Sequence, residues 1–520
     1  MSSSVSSSQR IVSLWLRRLS TDRIARQRSP DPRPLVIAGK RGNAEAVVAL
    51  DAVAERRGLR LPIALAQARA MHPDLNVVPE DAAADAQLLA AMADWCVRYT
   101  PLAALDAPDG LLLDIAGCAH LFGGEAALLE DLQRRMSAFG FAVRAGVADT
   151  IGAAWAVARF SDATSVACGD ERAALAPLPL QALRMADETA AALRRVGFRR
   201  VGDIMDVPRA PLAARFGGDL LRRLDRALGR EREPLTPRLP VAPYVAEQPF
   251  AEPITREEDV LAVTERLAGR LAALLERRGE GLRRVELMLF RTDGQVFRLQ
   301  AGTSRPLRSV REVRALFVER LAALSDPLDP GFGFDLARLN VIAAEPCPPQ
   351  QGTLGEAVDD GDVDRLVDRL SARLGARRVS RLVAQDSHIP EIAAAAVPAQ
   401  AQRAATDGGW AAFRCFRDAV GLNPRPLRLL TTPEPIEALA SVPDGPPIRF
   451  RWRRALHEVA AAEGPERIEG AWWNAEESVG NLARDYFRVE DKAGRRFWIF
   501  RAGLYRDTAA PAWFLHGMFA

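Results

Sequence analysis

Two aspartates bracket a short apolar run in Asp109-Gly-Leu-Leu-Leu-Asp114. Carboxylates of this kind hold divalent cations for phosphoryl transfer when they face one site. Their odd spacing sends these two to opposite faces of a strand, so a paired-carboxylate site needs a third acid from elsewhere. Gly39-Lys40-Arg41 has the GK of a phosphate loop but lacks the upstream glycine and the following hydroxyl residue, and reads as an ordinary loop. Cys118 and His120 lie two apart with no second ligand pair at finger spacing, and the five cysteines form no CxxC pair. Neither a zinc site nor a disulfide framework follows. GxSxG, HExxH and a GxGxxG in strand-helix context are missing, and His72, His120, His388, His457 and His516 have no neighbourhood that suggests a general base.

The remaining chemistry is cationic. In LRRVGFRRVGDIMDVP (193–208), Gly197 and Gly202 bound a tight turn whose backbone amides suit a phosphate, with Arg195, Arg199 and Arg200 beside it. Residues 193–232 hold 11 arginines against 5 acids, so this stretch is strongly basic. A second group, Arg283, Arg284, Arg291, Arg298, Arg305 and Arg308, falls on or near a hairpin against Glu286 and Asp293. Such surfaces follow a nucleic-acid backbone without reading bases and give salt-dependent affinity. In IRFRWRR (448–454), Ile448, Phe450 and Trp452 alternate with arginines, as in a half-buried strand with a cationic face.

These residues need elements to place them. Residues 11–160 alternate short apolar runs, IVSLWL, PLVIAG, AVVALD, GLLLDIAG and AVRAGVAD, with alanine- and leucine-rich helical patterns, and 123–140, between the last two runs, reads as a helix closing a βαβ-like unit. A small helical region is expected at about 175–235. Residues 245–345 then spell β-α-β-β-α-β, with a hairpin turning at Asp293-Gly294. EPCPPQQGTLG (345–355) reads as a linker, and beyond it Val363, Leu366, Val367, Leu370 and Leu374 share one helical face. Six of the nine tryptophans lie past residue 409, and DYFRVEDKAGRRFWIFR (485–501) reads as a hairpin, so the C-terminus is a module of its own.

At 520 residues the chain has room for three or four domains of roughly 150 residues. Seventy Lys and Arg against 67 Asp and Glu leave +3, which excludes a blanket of positive charge and makes any nucleic-acid surface local. Only Lys40 and Lys492 are lysines. The polar start MSSSVSSSQR and the lack of an 18-residue apolar stretch predict a cytoplasmic protein with no membrane span.

Residues 11–345 resemble the Y-family translesion DNA polymerases, and the whole chain is similar to that family's ImuB-like branch. LDAPDGLLLDIAGCAHLFGGE (105–125) parallels the palm stretch S-[IV]-D-E-[AV]-[FY]-L-D-[VL]-T with its following L-F-G-G. RGNAEAVVALDAVAERRGLRLPIALAQARAMHPDLNVVP (41–79) parallels the fingers. The resemblance implies an α+β multi-domain right hand plus an aromatic-rich C-terminal module. Its parts are a disordered N-terminus 1–10, palm 11–34 and 80–172, fingers 35–79, a helix-hairpin-helix thumb 173–240 and a little finger 241–345. A linker with an amphipathic helix follows at 346–408, and a partner-binding module at 409–520.

Position by position, the same resemblance implies lost catalysis. Trp15 stands where the family has its first metal-binding aspartate and Arg17 where that residue's acidic neighbour stands. Asp109 remains of the Asp-Glu pair but Gly110 replaces the glutamate. The Tyr-x-x-Arg that grips the triphosphate falls on Ala52 and Glu55, and the phosphate-binding lysine of G-[IV]-A-x-N-K on Ile151. A lone Asp109 facing Arg17 builds no metal site, so the expectation is a non-catalytic hub with no cofactor, binding DNA through Arg195, Gly197, Arg199, Arg200, Gly202, Arg284, Arg291 and Arg298. The alternatives are an active error-prone polymerase using Mg2+ and a stand-alone DNA-binding repair factor. The expected partners are primer-template DNA, a RecA-like small subunit, an error-prone C-family replicase and the β sliding clamp. The clamp motif is degenerate at Gln351 and Leu354, and Trp452, Trp472, Trp473 and Trp498 are the expected partner anchors.

Overall fold

The computed structural model describes residues 9–29, 31–42, 44–348, 360–385, 387–401, 425–426, 428–441, 445–469, 483–503 and 511–519. The chain divides into two compact units, Met1–Ala357 and Val358–Ala520.

The first unit opens with β1 (Ile11–Trp15) and α1 (Leu19–Gln27), followed by β2 (Leu35–Arg41), β3 (Ala44–Leu50), α2 (Ala52–Arg56), β4 (Ile63–Ala64), α3 (Leu65–Met71) and β5 (Asn76–Pro79). Strands β2 to β5 make a small sheet of order β4-β3-β2-β5, with β2 and β5 parallel. The chain returns through α4 (Ala82–Cys96), β6 (Ala103–Asp106), β7 (Gly110–Asp114), α5 (Glu125–Ala138), β8 (Arg144–Ala148) and α6 (Ile151–Phe160). These strands join β1 in an antiparallel sheet of order β6-β7-β1-β8.

Side chains alternate across β1, and each face of its sheet meets a different core. Val12 and Leu14 pack with Trp95 of α4, Leu128 and Leu132 of α5, and with Met288, Phe290 and Leu336 from the segment after residue 240. Ile11 packs with α6 and the helices that follow. The α6 face is tight, because a Cβ on Gly146 of β8 would lie 2.4 Å from the Ala158 amide nitrogen and 2.5 Å from the Ala154 carbonyl. Only glycine lets the helix sit this close.

Helices α7 (Glu171–Leu175), α8 (Asp187–Arg195), α9 (Gly202–Met205), α10 (Arg209–Phe216) and α11 (Gly218–Ala227) complete that second core with Leu193, Ile204, Leu212, Leu220 and Leu224. Then come β9 (Tyr244–Ile254), α12 (Glu257–Arg277), β10 (Glu280–Arg291), β11 (Val296–Leu307), α13 (Val310–Ala322) and β12 (Phe334–Pro346), the β-α-β-β-α-β succession read from the sequence. Their sheet runs β11-β10-β12-β9. It is pinned to the first sheet's helices: Asp335 pairs with Arg98 at 3.1 Å and Arg135 at 3.0 Å, and buried Arg338 donates to the Val97 carbonyl at 2.7 Å.

The second unit holds α14 (Asp360–Leu374), the hairpin β13 (Ser380–Ala384) and β14 (Ala394–Pro398), and six strands, β15 (Arg428–Ala440), β16 (Pro447–Trp452), β17 (Ala455–Ile468), β18 (Arg484–Asp491), β19 (Arg496–Ala502) and β20 (Ala512–Met518). These six close into a barrel through the β15–β20 pairing, so no edge is left for another strand. In α14, Val363, Leu366, Leu370 and Leu374 are exposed, and Asp368, Ser371 and Ala372 are buried. One expectation fails in the barrel. Ile448 is exposed while Phe450 is buried, because the register shifts by one residue between β15 and the start of β16, which takes Ile448 out of the inward-facing set.

Candidate functional site

The site sits where β1, β7 and α6 converge. Trp15 is the last residue of β1 and its Cα partner across the ladder is Gly110, the first of β7. Asp109 precedes β7, and Asp106 ends β6. Trp15 shares the Ile11 face of β1, toward α6, which delivers Trp155 and Arg159 four residues apart and so on one side of the helix.

Arg159 is the centre of the arrangement. Its Nη2 lies 3.2 Å from Asp109 Oδ1 and 3.3 Å from Asp106 Oδ2, and its guanidinium stands 4.2 Å from the Trp155 ring centre and 5.6 Å from that of Trp15. The Trp15 Nε1–H donates to the other Asp109 oxygen at 2.9 Å. Arg184 closes the far side, pairing with Asp106 at 3.1 Å and Glu233 at 3.2 Å. The side chains of Arg159 and Asp106 are only 8% and 9% exposed, and burial holds the Arg159 pKa below its ordinary value against the pull of Asp109 and Asp106. Cation–π contact and two carboxylates thus keep a guanidinium in a nearly dry site.

Asp109 therefore faces Arg159, not Arg17, which corrects the sequence reading. Arg17 instead pairs with Glu55 at 2.7 Å, and Arg18 joins the same carboxylate. The two charge-reversed positions neutralise each other across α1 and α2. Ala52 opens α2, and Ile151 opens α6 with its side chain buried. Sequence reasoning missed Asp106, Trp155, Arg159 and Arg184; the only local signal was the Trp155-x-x-x-Arg159 spacing after a strand.

Magnesium ions do not fit these residues. Both Asp109 oxygens are engaged, one by an indole N–H and one by a guanidinium, and position 110 has no side chain. It has no room for one: a Cβ there would lie 2.7 Å from Asp106 Oδ2, 2.9 Å from the Asp106 carbonyl and 2.9 Å from Arg159 Nη2. Among the described residues, no three His, Cys, Asp or Glu side chains gather as a metal site would need.

The cationic candidates divide sharply. Between α8 and α9 the expected amide cradle is already filled: Arg199 and Arg200 N–H donate to Asp203 at 2.7 and 2.8 Å, Gly197 to Arg194, Phe198 to Leu193, Val201 to Leu178 and Gly202 to Ala176. Gly197 is there for its left-handed backbone, φ 99°, and Gly202 for its approach to Ala176. The side chains remain available, since Arg194, Arg195, Arg199 and Arg200 are exposed and have no ion pair among the described residues. In the third sheet, Arg291 is buried and bound to Asp293 at 2.6 Å and Asp329 at 3.0 Å, so it is structural. Arg298 pairs with Glu286 at 2.7 Å, Arg283 with Glu345 at 3.1 Å, and Arg308 donates to two backbone carbonyls. Arg305 is half-buried, and Arg284 is exposed with no ion pair among the described residues.

In the barrel, Trp498 is 3% exposed and stacks on Tyr486 at 4.1 Å and His516 at 5.4 Å, so it is core rather than an anchor. Burial drives the His516 pKa down to about 4. Trp452 is half-buried, donating to Glu434 at 2.7 Å under the Arg453 guanidinium. Gln351, Leu354, Trp472 and Trp473 lie outside the described residues.

Two family descriptions match the sequence, the impB/mucB/samB family over residues 23–159 and the C-terminal domain of that family over residues 243–355. The chain is 43% identical over 471 residues to the protein ImuB of Caulobacter vibrioides, covering 87% of this chain and 98% of that protein. It is 26% identical over 305 residues to DNA polymerase IV of Alkalilimnicola ehrlichii, covering 58% and 84%. A solved structure of DinB from Sulfolobus solfataricus is similar with a TM-score of 0.37 at 14% identity, covering 64% of this chain and 99% of that one. No described helix is long and apolar enough to cross a membrane.

Proposed function

The chain belongs to the ImuB family of Y-family-like proteins, and on that premise we propose that it is a non-catalytic polymerase homologue that binds DNA and acts as the hub of a damage-induced translesion complex. The observation that carries this reading is Arg159. A guanidinium held between Trp15 and Trp155 on Asp106 and Asp109 gives these carboxylates a cationic partner from within the chain in place of a metal ion. The scaffold is then stable without metal, and the strand ends that would meet a primer hydroxyl and a triphosphate have no group that can act on them.

DNA is held by exposed guanidinium side chains on the helical region, with Arg195, Arg199 and Arg200 taking phosphates and Gly197 shaping the turn that displays them. Arg284 meets a further phosphate from the third sheet. Affinity is then sequence-independent and salt-sensitive. Changing Arg195, Arg199 and Arg200 together to alanine is expected to flatten the slope of log affinity against log salt by about 3, roughly 0.9 for each phosphate that is no longer neutralised. Fluorescence anisotropy on a primer-template duplex across a salt series measures it, and an unchanged slope removes these residues from the interface. The hub role, toward a RecA-like subunit, a C-family replicase and the sliding clamp, belongs to residues 345–520; a pull-down with that stretch deleted should lose the protein partners and keep DNA.

A further inference from the structure

Phe332 is 88% exposed, the most exposed large apolar side chain among the described residues. It sits on the loop between α13 and β12, in Asp329-Pro-Gly-Phe-Gly333. Slack does not explain the exposure. The buried Arg291 guanidinium grips both the Asp329 carboxylate and its backbone carbonyl, the Gly333 N–H donates to Pro330 at 2.7 Å, and Thr292 N–H donates to Gly333 at 3.1 Å. Gly331 and Gly333 take φ of 51° and 97°, and a Cβ on Gly333 would lie 2.6 Å from Pro253 Cβ. The loop is fixed from below, and it holds a bare ring in water.

Beside the ring is a cleft of about 400 Å³ lined by Arg26, Ala138, Phe139, Thr292 and Asp293. Asp293 is neutralised by Arg291. Arg26, at the end of α1, lies over the Phe141 ring at 4.5 Å and has no ion pair among the described residues; partial burial lowers its pKa against the pull of Asp293. The same Arg291 also pairs with Asp329 at 3.0 Å, so both of these carboxylates near the ring have a cation.

We propose that Phe332 is a stacking platform for an unpaired nucleic-acid base whose phosphate is taken by Arg26. A protein partner is disfavoured by area. A stable interface needs about 800 Å² on each side, whereas this ring's neighbours along the chain are Pro, Gly and Asp and the cleft beside it adds only Ala138 and Phe139 as apolar lining. A base needs only one free π face and one nearby cation. The proposal rests on the DNA-binding reading above and adds a single-strand site at the junction of the first and third sheets, distant in sequence from the arginines of the helical region.

The test is anisotropy with the full-length protein, on a labelled single-stranded oligonucleotide and on a duplex of the same length. Phe332→Ala is expected to weaken single-strand binding about tenfold, within the range of roughly 5- to 100-fold that removing one stack allows, and to leave duplex binding within about twofold. Phe332→Trp should retain single-strand affinity and Phe332→Leu should lose it, since an aliphatic side chain offers no π face. The position is exposed, so each variant folds. Single-strand affinity unchanged by Phe332→Ala, kept by Phe332→Leu, or absent in the wild type would each overturn the proposal. Duplex binding by the wild type separates this failure from failure of the DNA-binding reading, which predicts that binding independently of Phe332.

Discussion

Replacing Arg159 with methionine will cost the first unit about 3 kcal/mol of stability, the lower end of what losing one partner of a buried ion pair costs, because Asp106 keeps Arg184. Methionine fills the volume between Trp15 and Trp155, so the loss reports charge rather than a cavity. Arg159→Lys should lose nearly as much, since a single ammonium cannot bridge two carboxylates while stacking between two indoles. Chemical denaturation followed by Trp fluorescence reads both. The double variant Arg159→Met/Asp106→Leu should recover part of the loss, because the more buried of the two carboxylates is removed and the remaining one, Asp109, is partly solvated and keeps its bond from Trp15. The network also blocks reversal of the substitutions. Gly110→Glu restores a carboxylate on paper, but its Cβ meets the Asp106 backbone at 2.9 Å, so the variant should be destabilised and gain no activity.

The second large effect lies in the barrel. Asp485 of β18 and Arg501 of β19 are cross-strand partners with side chains 0% and 1% exposed, joined at 2.6 Å, and Arg467 completes the carboxylate's bonding at 2.7 Å. Burial pushes the Asp485 pKa up, yet the hydrogen bonds from Arg467 and Arg501 outweigh it and hold the group below the usual carboxylate range. Asp485→Ala takes a buried carboxylate away from the Arg501 guanidinium and should cost about 3–5 kcal/mol. Hydrogen exchange should show Arg484–Asp491 and Arg496–Ala502 losing protection together. Asp485→Leu/Arg501→Met should restore most of it, and equal loss in both variants would mean that packing rather than charge was removed.

How much of this was legible in the sequence depended on the range of the forces involved. The third sheet could be read because alternation along β10 and β11 and the Asp293-Gly294 turn are local, and Gly294 does take φ 90°. The β18–β19 hairpin was readable for the same reason. Closure of the barrel was not, because β15 and β20 are the first and last of its strands and nothing local marks their pairing. Of the positions singled out by the resemblance, Trp15 and Gly110 are ladder partners. What fills the space they leave comes from a helix some fifty residues away, as Arg159 to Asp109 is a separation of 50. The arginines misread as phosphate ligands failed likewise: Arg291 finds Asp329 38 residues on, and a one-dimensional charge count cannot tell a paired guanidinium from a free one. Trp498 was misjudged because aromatic enrichment marks a small β core as readily as an interface.

The central claim is that the guanidinium of Arg159 has taken the place of catalytic metal. Primer extension by the purified full-length protein, with magnesium and then manganese on an undamaged template and on a lesion-bearing one, tests it most directly. No extension above a protein-free control is expected under any of these conditions. Extension that disappears in Asp109→Ala would contradict the claim, since it would show that Asp109 leaves Arg159 and Trp15 to bind a metal ion.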